Sequence, residues 1–415
     1  MIMTTYQKPL PTLVNAILAA AREHGGAVAL WSLPGQRGWR LIISLQDIDT
    51  VKVCSIDKRN GFILGPFTPP GTSCYGQFSF IEREIELVAD NNNLALHWHG
   101  NTALSRRQAF ESSLHRHIDS HSQTYHVNDR IFADSTPQHR HDFIEMVRTA
   151  ISQIQKEIFA KVVLARNQFI TLVSQIRCAE IFASLKALYP DTLVSLISTP
   201  RHGTWAGASP ELLLEIDSRN RAHTMALAGT RQMDPHGTMP AWEEKEYHEH
   251  NVVDEYLQEL IRKMHLGKYT IGERHSHRVG KLVHLRRDLY WQMENFTMKK
   301  ALQTLKTLHP TPAVCGQPKD IAAQFIHKNE PFPRKHYAGF LGPVNFDSKI
   351  TAFVNIRCMH LGQGAAELFA GAGITADSVP EHEWEEIEAK LEVMQAVLSD
   401  AHLLQQKIKT RSPHE

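Results

Sequence analysis

Residues 368–394 read LFAGAGITADSVPEHEWEEIEAKLEVM, and within them an apolar strand gives way to an acidic helix. The strand end, Ala370-Gly371-Ala372-Gly373-Ile374, is made of small residues. Small residues let backbone N–H groups approach a ligand closely, and such a nest suits an anion. Pro380 then opens a helical pattern that runs through Leu398. Glu383, Glu386 and Lys390 fall at i, i+3 and i+7 and share one face, beside an apolar stripe of Ile387, Leu391, Met394 and Leu398. Two carboxylates and an amine next to a core-facing stripe suit a divalent cation and an anionic substrate held together. The same spacing also describes a solvated acidic face with an i,i+4 Glu–Lys pair, and the spacing alone leaves both open.

The chain has 415 residues, 42% apolar and 21% charged, an ordinary globular composition with enough apolar side chain for a large core. Formal net charge is +1 and no basic tract stands out, so nothing calls for nucleic acid or an anionic membrane surface. The five cysteines are scattered, odd in number and free of any CxxC spacing. That pattern fits a reducing compartment without a disulfide framework. No apolar run reaches membrane-span length, and the apolar run Leu13–Ala21 lacks the basic leader of a secretory signal. The expectation is a soluble, cytoplasmic protein.

In chain order, residues 10–24 read as a helix, and Ala27–Ser32, Gly38–Ser44, Asp57–Leu64 and Gln77–Leu87 as strands. Residues 90–141 are polar and carry eight of the histidines (His97 to His141), with spacings that match no metal template. They read as a loosely patterned surface segment and as a boundary. This divides the chain into an N-terminal portion (1–140), a core (141–400) and a polar tail (401–415).

From His141 the pattern tightens. A helix with Phe143, Val147 and Ile154 inward leads into Ala160–Arg166, where Lys161 sits in an apolar strand. Such a lysine either snorkels at the strand end or, held in a closed cleft, becomes a base. Thr192–Thr199 and Trp205–Ile216 suggest a hairpin, with Glu211 just after Pro210 and facing away from Leu212 and Leu214. Met225–Thr230 is a strand ending in small residues. In the helix Glu243–His265, Glu249 begins the apolar stripe, with Glu246 one turn earlier. A buried carboxylate needs a partner such as a metal ion, while the helix dipole alone also favours glutamate there. Lys281–Leu285 reads as a short strand, Trp291–Leu308 as helix, and Lys349–His360 as one strand whose alternation sets Arg357 opposite Val354 and Cys358. Strands and helices mix without strict βαβ alternation, which favours α+β with antiparallel sheets.

Taken together, ten blocks in this order resemble the chorismate-utilising enzymes, most closely the isochorismate synthases: KVVLAR (161–166), ASPELLLEI (208–216), ALAGT (226–230), HEHNVVDE (248–255), VHL (283–285), LHPTPAVCGQP (308–318), YAGFLG (337–342), NIRC (355–358), LFAGAGI (368–374) and EWEEIEAK (383–390). The resemblance covers residues 141–398 and implies an α+β fold in which two antiparallel β-rich halves, with helices around them, enclose one cleft. It implies Mg²⁺, chorismate as substrate and a monomer. Isochorismate synthesis adds water at ring C2 and expels the C4 hydroxyl, which needs a base and an acid. Lys161 matches the family's base and Glu211 its acid, so Glu211 is expected to stay protonated. Glu249 and Glu386 match the direct Mg²⁺ ligands, with Glu246 and Glu383 in outer, water-linked positions. Arg357, Tyr337, Lys390 and the backbone at Ala372 and Gly373 match groups that grip the enolpyruvyl carboxylate. Gly229 and Thr230 match the ring-carboxylate pocket, and His284 a ring contact.

Relatives that use ammonia usually carry Gln where this chain has Lys161, and the aminodeoxychorismate branch has a nucleophilic Lys where this chain has Ala228. Both differences favour water as the nucleophile. Salicylate synthases keep the Lys and Glu and go on to eliminate pyruvate, so they remain the alternative, beside a catalytically silent chorismate binder. EKEYHEH stands where relatives often show a KDR-type run before the ligand glutamate. Both menaquinone and catecholate siderophore pathways begin with isochorismate, and menaquinone is the preferred expectation.

Overall fold

The computed structural model describes residues 3–401 apart from 7–8, 47–49, 52–55, 57, 69–76, 91–92, 120–138, 173–176, 234–238, 240 and 363. Two large sheets organise the chain. The first has eleven strands in the spatial order Met3–Tyr6, Asn93–Trp98, Ile85–Asp90, Arg40–Ser44, Ala27–Ser32, Leu193–Thr199, Gly203–Ser209, Cys358–Gly362, Ala365–Ile374, Lys161–Thr171 and Gly316–Gln317. The second has ten, running from Tyr269–Ile271 through Leu282–Gln292, Arg221–Gln232, Leu212–Ile216, Ile350–Val354, Phe340–Val344, Gly61–Gly65 and Phe78–Glu82 to Thr50–Val51, with His275–Val279 paired to Leu282–Gln292 off this path. The strand pairs that frame the site are antiparallel. The fold is α+β, as the sequence suggests.

Side-chain alternation explains the layering. In Ala27–Ser32, Val28 and Leu30 join one core with the helices Leu10–Glu23, Arg140–Gln155, Cys178–Leu188 and Pro380–Asp400. Ala27, Ala29 and Trp31 turn the other way and meet Phe62, Leu64, Leu212, Leu341 and Phe353 of the second sheet. A third core packs the outer face of the second sheet against the helices Glu244–Lys263 and Met298–Leu308. The order is therefore helices, sheet, sheet, helices. Pro380 opens the last helix at a position where its missing N–H costs nothing, and Ile387, Leu391, Met394 and Leu398 are fully buried. Among the described residues no helix is long and apolar enough to cross a membrane.

Several sequence expectations change. Gln77–Leu87 is two strands, one in each sheet, and Trp205–Ile216 likewise divides at Pro210-Glu211. Lys349–His360 divides at Asn355–Arg357, where Arg357 takes a left-handed φ of 48°. The alternation read through Arg357 therefore fails, because the residues on either side belong to different sheets. The strand begun at Leu282 continues to Gln292, and the following helix starts only at Met298, capped by the Thr297 side chain. Part of the His-rich segment is regular: Asn93–Trp98 is a strand, and Leu104–Asp119 is a helix that buries Phe110 and Leu114. His121 and His126 lie outside the described residues.

The two later crossings are bonded to each other. Val354 N–H donates to Glu211 O at 2.9 Å, Ala208 N–H donates to Arg357 O at 3.0 Å, and Ser209 Oγ donates to Val354 O. Backbone polar groups leaving one sheet thus find partners before entering the next.

Phe62 is fully buried between the sheets, 5.2 Å from the Trp31 ring. Phe62→Ala is expected to cost about 3–5 kcal/mol, read as a lower thermal midpoint. An unchanged midpoint would contradict its place in the sandwich.

Candidate active site

Both crossings open on one small cavity of about 80 Å³ between the sheets. That is well under the ~300–1,000 Å³ of common ligand pockets, so the space between the walls is narrow. Its walls include Glu211, Gly229, Thr230, Glu249, His284, Tyr337, Arg357, Gly373 and Lys390. Nine of the residues singled out from the sequence therefore meet in one place.

Lys161 begins the Lys161–Thr171 strand and does not snorkel. It is fully buried, and its Nζ lies 3.0 Å from Glu249 Oε1. Glu211, at the Pro210-Glu211 crossing, is also buried and accepts a long 3.4 Å hydrogen bond from Thr311 Oγ1. Burial pushes its carboxyl up to about 8 against the opposing pull of Lys161 and Lys390. At neutral pH Glu211 holds its proton in the field of two amines.

Arg357 is buried with no carboxylate partner among the described residues. Desolvation brings its guanidinium down to about 10. It donates to His284 Nε2 and, at 3.4 Å, to Val279 O. His284 Nδ1 in turn lies 3.1 Å from Gly229 O and 3.2 Å from Thr230 Oγ1. Burial and the neighbouring cations Arg357 and Lys390 hold His284 well below the usual histidine range, so it is neutral. Its Nδ1–H donates to Gly229 O, and its Nε2 accepts from Arg357. Gly229 sits at a bulge with φ +75°, where an added Cβ would stand 3.1 Å from Glu246 Cβ.

The opposite wall is the strand Ala365–Ile374. Alternation puts Gly371 and Gly373 on the cavity side and buries Ala372 in the helix-facing core, so the Ala372 side chain does not face the cavity. A Cβ on Gly373 would come within 2.1 Å of Glu249 Oε1. Lys390 Nζ donates to Gly371 O and Glu386 Oε1, both at 2.7 Å. Tyr337 stacks on Phe369 with ring centroids 5.2 Å apart.

The acidic face of the last helix is not solvated. Glu383 is fully buried, and its Oε1 accepts from Lys245 Nζ at 2.6 Å. Burial and the nearby Glu386 push Glu383 up to about 7. Glu249 is held below its usual value, the effect of burial being outweighed by Lys161, Lys390 and Lys245. Glu246 is used differently. Its side chain accepts from Glu243 N at 3.0 Å as a helix capping box and pairs with Arg231 at 3.3 Å.

Among the described residues no three His, Cys, Asp or Glu groups converge at metal-holding distance. Three of the four candidate ligands are instead turned to an ammonium, Glu249 to Lys161, Glu383 to Lys245 and Glu386 to Lys390, and Glu246 to the Arg231 guanidinium. The donor set still fits Mg²⁺. It is all carboxylate oxygen, Mg²⁺ takes only one or two carboxylates beside water and substrate, and Glu383 Oε2 is buried without a hydrogen-bond partner.

Sequence reasoning missed Thr311, Phe369 and Lys245. Thr311 lies inside the recognised LHPTPAVCGQP block. Lys245 stands four residues before Glu249 on one helix, a spacing that places them on the same face.

Raising the Glu211 carboxyl has a consequence for stability. Between about pH 4.5 and about pH 8 the folded protein keeps a proton that the unfolded chain has lost, so this group's contribution falls as pH rises through that window. Glu211→Gln removes the titration. Its thermal midpoint relative to the parent should therefore climb from about pH 5 to about pH 8; a flat difference would show an ordinary carboxyl.

Comparison with known proteins gives the same family from a separate direction. The pattern of the family described as "Chorismate binding enzyme" matches residues 78–399. The isochorismate synthase EntC of Escherichia coli K12 is 31% identical over 259 residues, 61% of this chain and 66% of that protein. The salicylate biosynthesis isochorismate synthase of Pseudomonas aeruginosa is 31% identical over 274 residues, 64% of this chain and 56% of that one. The chain thus spans just under two thirds, or less, of these relatives. The solved structure of MenF, the menaquinone-specific isochorismate synthase from Escherichia coli, superposes with a TM-score of 0.73 at 21% identity, covering 96% of this chain and 94% of MenF. The fold is shared across nearly the full length, the family pattern spans most of the chain, and so the chain belongs to the chorismate-binding enzyme family.

Proposed function

We propose that the protein is an isochorismate synthase that interconverts chorismate and isochorismate. The observation that carries this is a carboxyl on the cavity wall held protonated by burial, Glu211, with a fully buried amine, Lys161, just behind that wall and paired with its Glu249. Relatives at about 30% identity carry the name isochorismate synthase.

The chemistry balances on these two groups. Lys161, once its ammonium proton has passed to solvent, takes a proton from water as the oxygen bonds to ring C2. The diene shifts along the ring, and the C4–O bond breaks as Glu211 gives its proton to the departing hydroxyl, which leaves as water. Lys161 ends protonated and Glu211 ionised, and the opposite transfers reset the pair. Glu211 is suited to the acid role because its carboxyl keeps its proton near neutrality.

Arg357 supplies a desolvated cation for the enolpyruvyl carboxylate, with Tyr337, Lys390 and the backbone of Gly371–Gly373 around it. Thr230, Gly229 and neutral His284 line the place for the ring and its carboxylate. Glu249 and Glu386 would hold Mg²⁺ directly, with Glu383 and Glu246 through water. Bound there, the ion neutralises the ring carboxylate and draws charge from the ring. Because Glu246 also caps its helix, its part in this is the weaker one. For the product we propose menaquinone synthesis, tested by whether disrupting the gene depletes menaquinone or a catecholate siderophore.

NMR of chorismate incubated with the purified chain and Mg²⁺ should show isochorismate. Salicylate with pyruvate would instead make it a salicylate synthase, and an unchanged spectrum a silent chorismate binder. Lys161→Ala should lower kcat by about 10³-fold or more with the fold kept; near-parental kcat would remove the base assignment. Glu249→Gln and Glu386→Gln should each move the Mg²⁺ activation curve to higher concentration. If both curves coincide with the parent's, those glutamates are not the ligands.

A further inference from the structure

One buried ion pair beside the cavity has no part in the chemistry above. Glu330 and Arg334 follow the helix Lys319–Asn329, and their side chains are 2% and 3% exposed. Arg334 Nε donates to Glu330 Oε2 at 2.8 Å, and its NH2 donates to Glu330 Oε1. The remaining donors go to backbone: NH1 to Val314 O at 2.8 Å and NH2 to Val163 O at 2.7 Å. Glu330 Oε1 also accepts from Ala165 N–H at 2.8 Å.

These contacts fall where a strand loses its neighbour. On its outer edge the Lys161–Thr171 strand pairs with Gly316–Gln317 only at Lys161 and Val162, and Val163 N–H still reaches Cys315 O at 2.8 Å. Beyond that point Val163 O and Ala165 N would be buried and unpaired, a costly state. The ion pair takes the place of the missing strand.

Val163 and Val314 both line the cavity, and so does Tyr337. The Tyr337 N–H donates to Arg334 O at 2.8 Å, and its ring lies 5.8 Å from the guanidinium. On one side Arg334 grips the strand that carries Lys161 two residues earlier. On the other it grips the 311–315 turn, whose Thr311 touches Glu211 and accepts from Val314 N and Cys315 N. A single guanidinium therefore joins the backbone that carries the amine to the backbone that contacts the acid.

We propose that Arg334, held by Glu330, is a positioning residue that fixes the spacing between Lys161 and Glu211. The proposal rests on the isochorismate synthase reading. Displacing a reacting group by about 1 Å costs on the order of 100-fold in rate.

The test uses the full chain with chorismate and Mg²⁺, comparing Arg334→Lys and Glu330→Gln with the parent. Lysine keeps the charge but cannot bridge Glu330, Val163 and Val314 together. Glu84→Gln serves as a control for lost stability: Glu84 is a buried carboxylate that accepts from Leu45 N and Thr102 Oγ1 and does not line the cavity. Per folded molecule, Arg334→Lys should lose about 100-fold in kcat and Glu330→Gln about tenfold, with KM within about threefold. Glu84→Gln should lower the thermal midpoint and leave kcat unchanged. If both pair variants keep kcat within about twofold, or raise KM alone, the positioning role is wrong. If both fail to fold, the pair is structural and the proposal is also overturned. A parent chain that leaves chorismate unchanged overturns the functional reading, and the clamp with it, whereas an active parent beside unaffected variants overturns the clamp alone.

Discussion

Charge taken out of water is the constraint on which this site depends. Lys161, Lys245 and Lys390 share a largely desolvated volume with Glu211, Glu249, Glu383 and Glu386, and each charge must be matched or suppressed. Three glutamates are matched, one to each lysine. Glu211 has no ammonium within ion-pair distance among the described residues and keeps its proton instead. The protonated Glu211 is therefore a product of the same balance that lowers the Glu249 carboxyl beside it. Lys245 is half-buried, and Glu383, Glu386 and Glu249 keep it firmly protonated. Glu211 and Glu249 thus stand in opposite states within one cleft, because their surroundings differ.

The sandwich makes such a volume possible. A chain that stays in one sheet presents only alternating side chains, but a chain that crosses between sheets delivers a residue into the gap. Glu211 and Arg357 arrive at two such crossings, which hydrogen-bond to each other. The left-handed Arg357 backbone is an uncommon state for a non-glycine residue, and it is held by Ala208 N–H on its carbonyl and His284 on its side chain. Gly229 and Gly373 provide clearance on the remaining walls, where any side chain would strike Glu246 or Glu249.

This explains what was legible in the sequence. Period and stripe sufficed for the last helix, since Ile387, Leu391, Met394 and Leu398 bury as their spacing demands. Lys161 and Glu211 were legible through motif order. Composition said nothing of the burial around them or of the raised Glu211 carboxyl. Arg357 was misplaced because alternation assumes one continuous strand, and no local signal announces a change of sheet. Ala372 was grouped with its glycine neighbours although strand parity sends it into the core. Glu246 stands in the first helical turn, where the dipole favours it, and also closes a capping box that the sequence reading did not name. Arg334 was invisible because PFPRKH looks like any polar loop, and its partners Val163 and Val314 are more than a dozen residues away in sequence.

The same charge balance bears on the metal. On the proposed function, chorismate would bring two carboxylates to the cavity. Arg357 faces no carboxylate among the described residues, so one substrate carboxylate can be met there. The second finds no spare cation among the lysines, since Lys161, Lys245 and Lys390 are each engaged by a glutamate. Drawing any of them toward the substrate would leave a buried carboxylate exposed to the full cost of desolvation. A divalent cation would supply the missing charge, and Glu249 and Glu386 are the residues that would hold it. The three Glu–Lys pairs thus leave Arg357 as the cavity-lining cation with no carboxylate partner among the described residues, the point at which an anionic ligand would be met.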